Sequence, residues 1–390
     1  MRTPAYMLLT YGKQMAERPA ILLLIPHLGG GGAEQVTALL ALGLSRKKYR
    51  LHLGLITQDV SDAQILPTQM DVHALGARRV RDSALGLLQL VRRLKPDVIL
   101  SNMAHLNFLV LLLRPLFPRA TRVLVRQNGT VSSSLASRDL PGYTRLLYRL
   151  LYPRADRVIC QTRAMAIDLS TEISIQGGRL AVLSNPVDVE AIRAIARNPP
   201  NPWSELGLSS SGPHLLAIGR LVLEKGFDLL LRALVSVRLR FPHTDLIIAG
   251  KGPEEAALKV LCRELGLEDA VRFAGHVDRP SVYFAGASAY VLSSRHEGLP
   301  NALLEAAAGG LPLVALPASQ GVVDLLSGQP GVWLAKETTS ESLAVALLTA
   351  FSTLNPGQRF PHPFIQQFSF DGAIRAYEDL IDSSLRERPQ

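Results

Sequence analysis

The stretch Ile21-Leu22-Leu23-Leu24-Ile25-Pro26-His27-Leu28-Gly29-Gly30-Gly31-Gly32-Ala33-Glu34 joins an apolar run of strand length to four glycines and then to the start of a helical pattern. A strand that ends in glycines before a helix is the repeating unit of a parallel sheet. Glycine lets the backbone approach a ligand closely, and the helix start offers unpaired N–H groups and a positive dipole end to an anion. Gly31 and Gly32 are therefore candidate binding residues, with a mobile turn as the alternative. The spacing matches neither G-x-G-x-x-G nor a P-loop, which argues against a dinucleotide or ATP site of those kinds.

The same alternation continues outward. Short apolar runs at 21–26, 51–56, 97–101, 122–126, 157–160 and 180–184 read as strands separated by helical patterns. A second set follows at 214–218, 245–249, 270–273, 289–292, 313–315 and 332–334. Between the sets, Asn198-Pro199-Pro200-Asn201-Pro202 is the strongest punctuation in the chain and is read as the hinge. The expectation is an α/β chain of two Rossmann-like units: residues 1–197, a linker at 198–212, residues 213–369, and a last helix over 370–390 with Tyr377, Leu380 and Ile381 on its apolar face. That helix is expected to cross back to the first unit. Two such units in series predict a ligand cleft beyond the carboxyl ends of their strands.

Composition bounds the rest. Of 390 residues, 47% are apolar and 19% charged, which excludes global disorder. Cys160 and Cys262 have no C-x-x-C partner, so neither a zinc site nor a disulfide framework is expected, and a reducing compartment is. No apolar run approaches the roughly 20 residues of a membrane span, and Met1 to Glu17 does not read as a signal peptide, so the expected location is cytoplasmic. The net charge of +9 is uneven: residues 1–200 carry 26 Lys and Arg against 13 Asp and Glu, and residues 201–390 carry 16 against 20. A basic first half suits nucleic acid, an anionic membrane or an anionic substrate.

Two stretches of the second half carry chemistry. Gly219-Arg220-Leu221-Val222-Leu223-Glu224-Lys225-Gly226 follows an expected strand and opens a helix at Phe227. The Arg fork and the Lys point charge are suited to a diphosphate; the alternative is a solvated loop. Ser293 to Gly310, SSRHEGLPNALLEAAAGG, is more informative. Pro300 suits a first helical turn, and Glu305 is a lone carboxylate in a small, apolar helix. Facing a core it is costly unless paired; facing a cleft it accepts hydrogen bonds from sugar hydroxyls. The alternative makes Glu297 a helix N-terminal acid and Glu305 a surface residue. His296 is expected to hold its loop by hydrogen bonds.

Jointly these residues resemble the retaining GT-B glycosyltransferases of family 4. The resemblance rests on the Glu-x7-Glu pair Glu297 and Glu305, the string from Glu297 to Leu313, the glycine-rich loop, Asn185-Pro186-Val187-Asp188, Arg220 with Lys225, and Ala249-Gly250-Lys251-Gly252-Pro253. It implies that Arg220 and Lys225 hold a donor diphosphate, Glu305 the ribose and Glu297 the transferred sugar. Gly298, Leu299, Pro300, Asn301 and Leu303 assist at the helix start, with Gly31, Gly32, Gly252 and Val277 completing the donor site. The implied catalytic set is Glu297, Arg220 and Lys225. The co-substrate is a nucleotide sugar, a UDP-sugar first among the candidates, and no metal or further cofactor is expected. The implied activity is hexosyl transfer in lipopolysaccharide, capsule or exopolysaccharide synthesis.

Where many members of that family place a histidine, this chain has Arg126-Gln127-Asn128-Gly129. Gln127 is neither acid nor base, so a donor-positioning or acceptor-binding role is expected of that loop, with His105, Gln127 and Asn128 named on the acceptor side and His105 and His27 as spatial substitutes for the histidine. For the acceptor, Pro141 to Arg157 (PGYTRLLYRLLYPRADR) is a basic, aromatic-bearing amphipathic stretch. It suits an anionic bilayer at the inner face of the cytoplasmic membrane and a lipid-linked or glycan acceptor, or else a core helix with a solvated Arg face. Nucleic acid is not expected, for want of a recognition helix or aromatic–basic platform. The competing readings are a GT-B nucleotide-sugar epimerase and a non-enzymatic nucleic-acid-binding module.

Overall fold

β1 (Ala20–Ile25), AILLLI, is buried along its whole length, as a central strand covered on both faces must be. The computed structural model describes residues 18–387 apart from 30, 58–65, 67–69, 137–141, 176, 198–202, 204–205, 209–211 and 278. After β1 come α1 (Gly32–Gly43), β2 (Arg50–Leu55), β3 (Asp71–Ala74), α2 (Ala84–Leu94), β4 (Val98–Asn102), α3 (Ala104–Leu113), β5 (Arg122–Arg126), α4 (Val131–Ala136), α5 (Thr144–Leu151), β6 (Arg157–Cys160), α6 (Arg163–Ile173), β7 (Leu180–Val182) and α7 (Val189–Arg197). The second set is β8 (His214–Ile218), α8 (Phe227–Arg240), β9 (Asp245–Ala249), α9 (Glu255–Glu264), β10 (Val271–Gly275), β11 (Ala289–Leu292), α10 (Asn301–Ala308), β12 (Leu313–Ala315), α11 (Gln320–Leu326), β13 (Val332–Leu334), α12 (Ser340–Thr353) and α13 (Phe370–Arg386).

The strands form two parallel sheets, in the orders β3-β2-β1-β4-β5-β6-β7 and β10-β9-β8-β11-β12-β13. Each is a sheet between two apolar layers. Leu22 and Leu24 of β1 enter one core while Ile21, Leu23 and Ile25 enter the other, the period of two that a strand imposes. In the second sheet Leu216 and Ile247 face one layer, and Leu215, Ala217, Leu246 and Ile248 the opposite one. The two-unit Rossmann-like expectation holds. β3 is the strand that the pattern missed: Asp71-Val72-His73-Ala74 is an edge strand paired to β2 alone, so little of it is buried and no apolar run marks it.

The chain passes between the units twice, and the two passages run side by side. The Val187 N–H donates to the carbonyl of Phe368 at 2.8 Å, and Val187 bridges Ser369. α7, although it precedes the expected linker, packs on α10, and Val187 and Ile192 lie in the core of the second unit. The hinge expected at Asn198–Pro202 lies outside the described residues, as does Met1 to Glu17. α13 returns to the first unit, where Ile374, Tyr377 and Ile381 join the core around Leu23. Lys48 Nζ meets Glu378 at 2.6 Å, and Tyr49 Oη donates to Asp382 at 2.5 Å. Both cysteines are buried and free.

Candidate functional site

Strand order reverses between β1 and β4 in the first sheet and between β8 and β11 in the second. At such reversals neighbouring loops diverge and open a crevice at the carboxyl ends of the strands. The glycine loop follows β1, Asn102 ends β4, Gly219–Gly226 follows β8, and Ser293–Pro300 follows β11. The glycine loop and the loops Gly219–Gly226 and Ser293–Pro300 therefore sit at a reversal, Gly250–Pro253 and Arg126–Gly129 one strand away from one, and Asn185–Asp188 after the edge strand β7.

Lys225 and Glu297, proposed for diphosphate and sugar, are paired: Lys225 Nζ bonds Glu297 Oε1, and Ser294 Oγ donates to the same oxygen at 2.8 Å. Arg220 is exposed and makes no side-chain bond among the described residues. Lys225 is placed by its own backbone, whose carbonyl accepts from Ser293 Oγ at 2.8 Å. The next residue, Gly226, has φ +61°, and a Cβ there would strike the Ser293 carbonyl. Arg295 clamps the two loops through a bidentate pair with Asp228, at 2.7 Å for both bonds.

Glu305 is nine-tenths buried on α10, so it is not the surface residue of the alternative reading. Burial pushes its carboxyl up to about 7, against a hydrogen bond from Gln35 that pulls it down. Gln35 lies on α1 of the opposite unit. Asn301, the first residue of α10, also reaches across: its Nδ2 donates to the Gly32 carbonyl at 2.8 Å, and its Oδ1 accepts from Asn185. Gly298 packs against the backbone of Asn128 and Gly129, where a Cβ would collide with the Asn128 carbonyl. The donor-side loop and the glycine loop are thus in direct contact across the cleft. In the first turn of α10 the N–H groups of Leu303 and Leu304 donate to the Pro300 carbonyl, which leaves those of Asn301 and Ala302 available to an anion. At α1 that role meets a competitor, because Glu34 is buried with its carboxylate folded over Gly31.

Three assignments change. Gln127 is 3% exposed, and its amide is consumed internally: Nε2 donates to the Gly129 carbonyl and to Tyr148 Oη, and Oε1 accepts from Tyr152 Oη at 2.6 Å. It holds the loop from behind, and what the loop presents to Gly298 across the cleft is the backbone of Asn128 and Gly129. The Leu303 side chain is fully buried in the second unit's core, so no donor contact can come from it. Leu299 and Pro300 are buried, Gly252 packs on the Leu221 backbone, and Val277 is half-buried against the same core. His296 is exposed and makes no hydrogen bond among the described residues, so it does not hold its loop. Burial, and then His27, push His105 below its ordinary pKa, so it is neutral at pH 7. His27 stands 3.8 Å from Glu34. Among the described residues no three His, Cys, Asp or Glu side chains gather as a metal site.

Sequence reasoning missed Gln35, Asn102 and the Arg295–Asp228 clamp. A single Gln or Asn carries no signal by itself. The clamp joins a loop residue to the first turn of α8, and only the packing of β8 against β11 brings the two together.

With this geometry in place, the comparisons with known proteins are specific. Residues 30–191 match the model of glycosyltransferase family 4, and residues 212–353 that of the group 1 glycosyl transferases. An uncharacterized glycosyltransferase of Haemophilus influenzae is 37% identical over 133 residues, which are 34% of this chain and 38% of that one, so the chain spans well under half of that relative. The N-acetylgalactosamine-N,N'-diacetylbacillosaminyl-diphospho-undecaprenol 4-alpha-N-acetylgalactosaminyltransferase of Campylobacter jejuni is 27% identical over 78% of this chain and 82% of its own length. Among solved structures, Anabaena HepE in complex with UDP and glucose superposes with a TM-score of 0.77 at 18% identity, covering 94% of this chain and all of that one. The two facing Rossmann-like units, the motif loops at their reversals and both family models together make this chain a GT-B glycosyltransferase of family 4.

Proposed function

We propose that the enzyme moves a hexosyl group, with retention of configuration, from a nucleotide sugar to a lipid-linked or glycan acceptor in the synthesis of a surface polysaccharide or glycolipid. The observation that carries the reading is the convergence of Lys225, Glu297 and Glu305 with Asn301 and the start of α10 at the second reversal, closed over by Gln35 and Gly32 from the first unit. In this reading the donor diphosphate takes Lys225 from Glu297 and adds Arg220. Both cations then face the charge that develops on the leaving group, where positioned charges do most for rate. Glu297, released, accepts from hydroxyls of the sugar, and Glu305 accepts from the ribose. No side chain is assigned as nucleophile; the leaving phosphate itself takes the acceptor proton from the same face, which preserves configuration.

A UDP-sugar donor is supported by the UDP held by HepE, and a lipid-linked acceptor by the diphospho-undecaprenol in the Campylobacter enzyme's name. At the start of α5 and along it the exposed Tyr143, Leu146 and Leu150 stand beside exposed Arg145 and Arg149, an apolar and basic strip suited to an anionic bilayer. Tyr148, Leu151 and Tyr152 of the same stretch are core residues, so the strip is only part of the expected face. No described helix is long and apolar enough to cross a membrane. We therefore assign the first unit to the acceptor, the second to the donor, and the enzyme to the inner face of the cytoplasmic membrane.

The test is a panel of UDP-, GDP- and ADP-sugars scored by thermal stabilisation, since a ligand that binds only the folded state raises its melting temperature by mass action. A UDP-sugar should stabilise the wild type, and Lys225→Ala should lose both that stabilisation and transfer. A fully active Lys225→Ala enzyme overturns the assignment of the diphosphate.

A further inference from the structure

Arg126, the last residue of β5, is 1% exposed, and among the described residues no carboxylate lies within ion-pair distance of it. A guanidinium remains charged in protein interiors and donates only, so every group around it must turn an oxygen inward. Its neighbours are four neutral acceptors: Nε donates to Tyr377 Oη at 3.2 Å, Nη1 to Asn102 Oδ1 at 3.3 Å and to Asn128 Oδ1, and Nη2 to Asn185 Oδ1. Tyr377 is on α13 and Asn185 is on the crossing to the second unit, so the cation ties together three separate parts of the chain.

The donor-only character of Arg126 propagates. Asn185 gives its oxygen to the cation, so its NH2 must point away, and it donates to Asn301 Oδ1. The oxygen of Asn301 is then engaged, and its NH2 donates to the Gly32 carbonyl. On the other branch Asn128 donates to Asn102 Oδ1 at 2.8 Å, and Asn102 donates to the Ala33 carbonyl and to Thr37 Oγ1, both at 3.0 Å. Both chains of oriented amides begin at one cation and end on adjacent carbonyls of the glycine loop. A buried charge without a counter-ion is a standing cost to the fold, which makes a positioning role the natural reason for keeping it.

We propose that Arg126 is a positioning residue of the transfer site: it orients Asn185 and through it Asn301, and so holds the start of the donor helix α10 in register with the glycine loop of the opposite unit. The claim deepens the donor reading above and rests on it.

Arg126→Met removes the hub, but it takes the donor from the Asn185 oxygen and the Tyr377 hydroxyl in the interior and can fail to fold. Asn185→Asp separates the two roles. Its carboxylate still accepts from Arg126, now as an ion pair, but it has no proton for Asn301. Wild type and variant are compared by melting temperature, by calorimetric binding of UDP, and by amide hydrogen exchange of peptides covering 31–40 and 298–308. The expected result is a cooperatively folded variant whose melting temperature falls by no more than a few degrees, UDP binding weaker by about tenfold or more, and faster exchange in both peptides, because one bond is lost and one acceptor left unpaired. Wild-type UDP affinity and exchange in Asn185→Asp overturn the proposal. So does a loss of affinity that only follows a loss of fold. If wild type itself does not bind UDP, the UDP-donor reading falls, and the exchange of the two peptides still decides for or against the relay.

Discussion

Replacing Glu305 with Gln should move stability and nucleotide binding in opposite directions. Glu305 is nine-tenths buried on an α10 that is otherwise Ala and Leu at its centre, with Gln35 as its hydrogen-bond partner. Burial raises its pKa from 4.5 to about 7, so between those values the folded chain keeps a proton that the unfolded chain has released. Stability therefore falls as pH rises through that window and stays lowered above it. The displacement corresponds to about 3 kcal/mol at pH 8. The introduced glutamine fills the same volume, and Gln35 can reverse its amide to meet it, so Glu305→Gln escapes the loss. At pH 5 the two proteins should melt together. At pH 8 the variant should melt higher by roughly 6–12 °C, using the dependence for a domain of 150–250 residues.

The same substitution removes a charged acceptor for ribose hydroxyls. A hydrogen bond to a charged group contributes about 1.5–3 kcal/mol, so UDP binding by Glu305→Gln should be weaker by roughly 10- to 100-fold at pH 8. For the wild type, UDP affinity should decline below pH 7 as Glu305 takes up its proton, and in the variant that dependence should be absent. Differential scanning calorimetry at the two pH values and titration calorimetry with UDP measure both halves. Equal melting differences at pH 5 and pH 8 would refute the burial argument, and undiminished UDP affinity would refute the ribose assignment.

Gly226→Ala forces a side chain into the left-handed region at φ +61° and against the Ser293 carbonyl. It should cost at least about 2 kcal/mol in chemical denaturation and displace Lys225, and unchanged stability in that variant would mean that the loop is free to move. Leu146 and Leu150 are 55% and 57% exposed, so Leu146→Glu with Leu150→Glu should leave the melting temperature unchanged. The pair should abolish salt-sensitive sedimentation with anionic vesicles, and undiminished sedimentation would sink the α5 membrane strip.

What could be read from the sequence was what is local in it. β1 and β9 announce themselves because a parallel strand covered on both faces must be apolar throughout, and β3 stayed hidden because an edge strand need not be. Lys225 and Glu297 were legible as charges in glycine-bounded loops after strands, although nothing in their spacing said that they pair with each other before any donor arrives. Gln127 was misassigned for the same reason: its partners Tyr148, on α5, and Tyr152, just after it, lie on the core side of a stretch whose pattern suited a bilayer surface and a core helix alike. The amides around Arg126 were least legible of all. Asn102, Asn128, Asn185 and Asn301 each read alone as a turn or strand-end residue, and only the topology brings β4, β5, the crossing segment and α10 to one cation. The uneven charge takes a different meaning from this. A basic first half suggested a partner outside the protein, yet the arginine at its centre is directed inward, and its effect is carried by neutral groups whose orientation it dictates. Net charge alone does not locate the chemistry of the cleft, which depends on a few cations whose partners are fixed by the fold.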